Sequence, residues 1–341
     1  MANIIEEKAT LPAVFLGSSP HIASPVDAQR LMANALISLA PCTIYGVAVF
    51  GLHALFTIVV STGAAIGAEA LFRRLTKQDI RIKDLSAALT GLLLALVLPP
   101  STPLWMTALG SVFAIIVAKE FFGGLGANVF NPALAGRAFL IMSFPAAITT
   151  WHNPPGRFVV SLPDALSGAT PLGAARGLSG AEAIAAVGGG SDYASVMQTL
   201  FLGTHGGCIG ETSILLILLG AVYLLVTQTI DWRAPAAMLG ASALASAALG
   251  IDPLFTLMSG GLVFGAVFMA TDYVTAPLTA VGKLIFGAGA GLITVLIRKW
   301  GAFPEGVSYG LLIMNAVTPF LNHFIQKKYG FVAKAKKVVK P

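Results

Sequence analysis

A chain of 341 residues that is 56% hydrophobic and only 11% charged is not an ordinary water-soluble enzyme, in which about a quarter of residues carry charge. The mean hydropathy of +0.83 points the same way, and the apolar runs approach the roughly 20 residues that a bilayer-crossing helix needs. The net charge of +6 is a topology signal in such a chain, which sets nucleic acid aside as a partner.

In chain order, residues 1–30 form a polar arm with Glu6, Glu7 and Lys8. No apolar stretch follows a basic start, so no cleavable signal peptide is expected. A first transmembrane half, 31–150, carries spans near 31–50, 52–72, 85–99, 103–119 and 131–150. Pro41 should kink the first, and Pro99-Pro100 stops the third early, which makes it a candidate half-helix. Residues 151–211 are a long Gly-, Ala-, Ser- and Pro-rich loop, of a length that is usually functional or disordered. A second half, 212–325, carries spans near 212–230, 234–250, 254–271, 277–297 and 306–325, and a basic tail closes 326–341. The expected class is an all-α integral membrane protein with about ten transmembrane helices.

Basic residues orient it. Arg73, Arg74, Lys77, Arg81 and Lys83 follow the second span, and the tail holds six lysines between Lys327 and Lys340. Both termini are therefore expected in the cytoplasm and the 151–211 loop outside, with Arg298 and Lys299 as the one violation. Trp105, Trp151, Trp232 and Trp300 fall at predicted span ends, as an aromatic belt requires. Pro103-Leu104-Trp105 and Pro253-Leu254-Phe255 open similar apolar spans. Five spans per half is an odd number, so a repeat would be inverted, with short or broken helices at its interface.

Cys42 and Cys208 lack CxxC context, and the five histidines lack ligand spacing, so neither a metal site nor a catalytic side chain is expected. Lys119, Glu120, Arg137 and Glu211 lie at or inside span ends, where charge is costly. Lys119-Glu120 also reads as an interfacial pair, and Arg137 has Glu120, Glu211 or a ligand as possible partners. The glycine turn at 123–126 follows no strand, so it is not a dinucleotide fingerprint; it suits a close backbone approach. Asn128 and Asn131 are three apart, on one face if the stretch is helical, and Asn131-Pro132 reads as a helix start. In the loop, Asp164-Ala165-Leu166-Ser167-Gly168-Ala169-Thr170 is either a turn before Pro171 or a modification motif.

Segments almost end to end carry a resemblance. They include Ser19-Pro20-His21-Ile22, Asp84-Leu85-Ser86, the run from Gly123 to Ala133, and Gly136-Arg137-Ala138-Phe139. Further on come Ser167 to Thr170, Gly206 to Thr212, Met269-Ala270-Thr271-Asp272 and Pro304-Glu305-Gly306-Val307. Together they resemble the D subunit of the Rnf (Rsx) electron-transport complexes and are similar to the B subunit of sodium-pumping NADH:quinone reductases. Ala23 departs from the pattern, where a basic residue is common.

The resemblance implies FMN joined by its phosphate to the Thr170 hydroxyl, within the motif Asp164, Ser167, Gly168 and Ala169. A threonine hydroxyl without an adjacent base is a poor nucleophile, so a separate flavin transferase is implied as a maturation partner. Arg157 and Arg176 are either phosphate counter-charges or solvated loop residues. A second, non-covalent riboflavin is implied near the cytoplasmic face, around Thr90, Asn128, Asn131 and Asp272; the same residues also read as helix caps and packing. The implied function is a membrane redox subunit in a bacterial inner membrane, coupled to Na⁺ or H⁺ movement, with the ferredoxin/NAD couple handled by partner subunits. The alternatives are the quinone-reductase B subunit, and a secondary transporter or channel for a small polar solute.

Overall fold

The computed structural model describes residues 27–151, 170–175, 186–187, 192–203, 205–301 and 305–325. Among the described residues there is no strand. Asp164, Ser167, Gly168, Ala169, Arg157, Arg176, most of the N-terminal arm and the basic tail lie outside them.

The first half runs α1 (Ala28–Phe50), α2 (Leu52–Leu75), α3 (Ser86–Leu96), α4 (Leu104–Ile116), α5 (Pro132–Ser143) and the single turn α6 (Pro145–Ile148). Between the halves come α7 (Pro171–Ala174) and α8 (Tyr193–Leu202). The second half runs α9 (Ile214–Val226), α10 (Arg233–Ala248), α11 (Pro253–Met258), α12 (Leu262–Phe264) with a π-helical turn over Gly265–Met269, α13 (Ala280–Trp300) and α14 (Val307–Ile325). Local chemistry sets the starts. The Asp27 carboxylate accepts from the Arg30 N–H at 2.8 Å, the Asp252 carboxylate from the Phe255 N–H at 2.9 Å, and the Thr279 hydroxyl from the Gly282 N–H at 3.0 Å. Gly51, at φ 78°, separates α1 from α2.

The helices wear their apolar side chains outside. Ile44, Leu71, Val226 and Leu244 are 57–77% exposed, whereas Thr57, Ser61, Ser111, Ser242 and Thr294 are fully buried. Water would not tolerate that distribution, but hydrocarbon does, with small polar side chains bonding helix to helix. Ser61 shows the pattern: its hydroxyl donates to the Gly91 carbonyl at 2.6 Å and meets the Ser111 hydroxyl at 2.9 Å, tying α2 to α3 and α4. Among the described residues four helices are long and apolar enough to cross a membrane by themselves: Ala28–Phe50, Leu52–Leu75, Leu104–Phe122 and Ala280–Trp300. The other expected spans are shorter or broken, except α14, which is long enough at 19 residues but less apolar. Trp105, Trp232 and Trp300 sit exposed at helix ends, where the belt puts them.

Two spans differ from the sequence expectation. The fifth is divided at Phe144, where Pro145 opens a new turn. The eighth, continuous in hydropathy, is interrupted at Ser259–Gly261 between α11 and α12. The interruption also accounts for Arg298, one of the two residues of the expected topology violation; Lys299 is exposed. Arg298 points back into the protein and donates to the Thr256 carbonyl at 2.7 Å and the Ser259 carbonyl at 3.0 Å. It serves carbonyls that a broken helix leaves unpaired, so its charge is structural.

The halves share one packing scheme. In the first, α2 packs on α3 and α4, and α4 on α5; in the second, α10 packs on α11 and α13, and α13 on α14. Across the middle, α1 meets α9 and α5 meets α14. The scheme matches the broken α11–α12 segment with α3, not with α4, so the similarity of Pro103-Leu104-Trp105 to Pro253-Leu254-Phe255 joins non-equivalent positions. The tightest crossing is α10 on α13, where a methyl added at Gly287 or Gly291 would strike the Ala234 or Met238 carbonyl.

Candidate functional site

The third span is a half-helix: α3 ends at Leu96 and the chain continues unwound through Pro99-Pro100. Its free carbonyls need partners. The 206–212 segment supplies them, with the Gly210 N–H donating to the Leu96 carbonyl at 2.8 Å and the Ile209 N–H to the Leu98 carbonyl at 3.2 Å. The end of the central connection is thus buried core.

A cleft lies between the halves at the N-terminal end of α3. Thr90, Asn128, Asn131 and Asp272 all line it, although they come from well-separated stretches of sequence and from both halves. Each is placed by local structure. Thr90 sits one turn into α3. Asn131 caps α5, its Oδ1 accepting from the Ala133 and Leu134 N–H groups at 3.1 and 3.3 Å, as Asn131-Pro132 leads one to expect. The Asn128 amide donates to the Phe130 carbonyl at 3.1 Å, in a turn rather than on a helical face shared with Asn131. Asp272 follows the π turn and accepts from the Thr275 hydroxyl at 2.9 Å. The glycine turn ahead of them takes left-handed backbone, Gly124 at φ 89° lying against the Arg73 guanidinium, and it carries Leu125 to the cavity wall.

The donor set fits a flat heterocycle. Among the described residues the Thr90 hydroxyl and the Asn131 amide nitrogen have no hydrogen-bond partner, and both line the cavity. Leu89, Leu93, Leu224 and Phe268 add apolar walls. A few convergent polar groups in an otherwise apolar cleft are the mark of a small-molecule site, and a flavin ring, with carbonyl and N–H groups on its edge and two apolar faces, matches them. Asp231 lies in an adjoining cavity that shares Thr229, Thr271 and Asp272. Partial burial pushes its carboxyl up, but the Arg233 backbone N–H and the Lys283 and Arg233 side chains outweigh that and hold it below the ordinary carboxylate range.

The charged candidates separate into two clusters. Beside the cavity, the Lys119 ammonium donates to Glu69 at 2.7 Å and to the Ser86 hydroxyl at 2.6 Å, and Arg73 pairs with Glu120 at 3.2 Å. All four charged side chains are buried. Lys119 and Glu120 are therefore not a surface pair with each other. Elsewhere, Arg137 on α5 pairs with Glu211 at 3.5 Å and with Glu305, and donates to the Ser308 hydroxyl at 3.2 Å and the Cys208 sulfur at 3.6 Å. The possible pairing with Glu120 is not made. Cys208, Glu211 and Glu305 stand close enough to share a cation, but one guanidinium already reaches all three. Sequence reasoning missed Glu69 and Glu305, whose partners lie 50 and 168 residues away.

Thr170 is buried at 6% exposure, and its oxygen accepts from the Gly173 N–H at 3.0 Å as the cap of α7. Esterification replaces the hydroxyl proton and leaves that bond intact. The next turn residue, Leu172, approaches Gly260 together with the Arg298 guanidinium. Arg298 Nε and Ser259 Oγ are buried without partners among the described residues.

Residues 15–330 match the family described as NQR2, RnfD, RnfE. One relative is the D subunit of the proton-translocating ferredoxin:NAD(+) oxidoreductase complex of Clostridium ljungdahlii, 43% identical over 323 residues that cover 92% of this chain and 96% of the relative. Another is the D subunit of the Na(+)-translocating ferredoxin:NAD(+) oxidoreductase complex of Acetobacterium woodii, 40% identical over 327 residues that cover 95% and 98%. A third, from Halorhodospira halophila, is the D subunit of an ion-translocating oxidoreductase complex, 34% identical over 348 residues that cover 92% and 95%. The chain belongs to the NQR2, RnfD, RnfE family.

Proposed function

We propose that this chain is the D-type membrane subunit of an ion-translocating ferredoxin:NAD⁺ oxidoreductase complex and relays electrons through two flavins. One is FMN esterified to Thr170 in the motif Asp164 to Thr170, attached by a flavin transferase. The other is riboflavin, held without a covalent bond by Thr90, Asn128, Asn131 and Asp272. The observation that carries the reading is the convergence of those four side chains on one cavity between the halves. Flavin supplies one- and two-electron chemistry when bound, and the protein supplies place and electrostatics. Here Thr90 and the Asn131 amide orient the ring edge, Asp272 accepts from it, and the leucines and Phe268 exclude water. The ferredoxin and NAD⁺ sites belong to partner subunits. The basic connection after α2 and the basic tail mark the cytoplasmic side of a bacterial inner membrane, with Thr170 on the opposite side. The relatives' names specify protons in one case and Na⁺ in another, so either ion suits the reading.

The test is a denaturing gel of the complex made with its flavin transferase. Yellow fluorescence in this chain's band, lost in Thr170→Ala, is expected; a colourless wild-type band contradicts the covalent site and favours a transporter. Separately, Thr90→Leu should abolish flavin released from the cavity on denaturation while leaving the band fluorescent.

A further inference from the structure

We propose that Lys119, Ser86 and Asp84 form a proton relay between the cavity and the solvent on the basic face, delivering a proton to the redox ring held in the cavity. The proposal rests on the reading of that cavity as a flavin site. Lys119 and Ser86 both line it. An ammonium group has three N–H donors. Two of those on Lys119 go to Glu69 at 2.7 Å and to the Ser86 hydroxyl at 2.6 Å, which leaves the third uncommitted among the described residues. The Ser86 hydroxyl in turn donates to Asp84 Oδ1 at 2.7 Å. Asp84 is partly exposed, in the connection that carries Arg81 and Lys83. Three hydrogen-bonding groups thus lead from the cavity wall to water.

The surroundings allow a proton to leave Lys119 without stranding a charge. From α2, Glu69 faces Lys119 on one side and Arg73 at 3.6 Å on the other; from the turn after α4, Glu120 pairs with Arg73. When Lys119 is neutral, Glu69 still has a cationic neighbour. An electron-donating centre of the complex reduces the ring. A Lys119 Nζ–H bond breaks, and the proton passes to a ring heteroatom, leaving an amine. The amine takes the Ser86 hydroxyl proton, Ser86 Oγ takes the proton of the Asp84 carboxyl, and that carboxyl has drawn its proton from water. All three side chains return to their starting forms, and one solvent proton has reached the ring.

The experiment avoids Lys119 itself, because its removal disturbs the packing of Glu69. In the purified complex, the cavity flavin is reduced by a light flash and proton uptake is followed with a pH-indicator dye. Ser86→Ala should slow uptake by about a hundredfold, the scale of a lost general acid, and Ser86→Thr should restore it by returning the hydroxyl. Asp84→Asn keeps the Oδ1 acceptor for the Ser86 N–H and should slow uptake as well, so it provides the readout if Ser86→Ala does not assemble. Unchanged uptake in variants that still release flavin on denaturation overturns the relay alone. Wild-type complex whose releasable flavin is the same as that of Thr90→Leu overturns the cavity reading and the relay with it.

Discussion

Among the described residues two clusters of charge are buried, and they are built differently. The Glu69–Arg73–Lys119–Glu120 cluster belongs wholly to the first half, pairs two cations with two anions, and forms part of a cavity wall. The Arg137 cluster draws its members from α5, the 206–212 segment and the entry to α14, so one guanidinium bridges the halves. Burying charge in a bilayer is expensive and has to be offset by close partners. The first cluster has spare connectivity, because Glu69 touches two cations. The second has little, because two carboxylates lean on one arginine, with Arg298 the next cation. Redundancy suits a wall whose proton inventory changes; a single shared cation suits a fixed joint.

That contrast breaks most sharply at Arg137. Arg137→Met leaves Glu211 and Glu305 buried without their cation and should cost about 3–5 kcal/mol, seen as a large fall in the thermal midpoint of the detergent-solubilised complex. Adding Glu211→Gln and Glu305→Gln should recover much of it. A single variant as stable as wild type would deny the joint. Lys119→Met should cost less, at most about 3 kcal/mol, the lower end for a broken buried pair, because Arg73 still serves Glu69. A loss equal to that of Arg137→Met would deny the redundancy. The smallest effect belongs to the partly exposed pair of Asp231 with Lys283 at 3.0 Å. Lys283→Met should shift stability by no more than about 1 kcal/mol. With its folded pKa depressed, Asp231 adds stability above the ordinary carboxylate value that is lost as pH falls through the lowered one. Acid titration of the variant's thermal midpoint below about pH 4 should therefore be flatter than that of wild type.

Local rules make much of the fold legible. Apolar runs locate the helical segments, Pro99-Pro100 marks the half-helix α3, and Asn131-Pro132 marks the start of α5. The tryptophans mark helix ends. What local rules do not reach is pairing across the chain: nothing near Lys119 names Glu69, and nothing near Arg137 names Glu305. The break at Ser259–Gly261 is hidden because hydropathy runs through it unchanged, and only the inward turn of Arg298 from a distant helix satisfies its carbonyls. The four cavity residues are implied by resemblance alone; that they share one cavity follows from the folded chain. The 206–212 segment reads as the end of a loop, but its N–H groups complete α3.

The most direct measurement is mass spectrometry of the peptide that contains Thr170, taken from protein made alongside its flavin transferase. The expected result is an FMN phosphoester on the Thr170 oxygen, absent when the transferase is withheld. A peptide recovered wholly unmodified from transferase-competent cells would contradict the covalent relay.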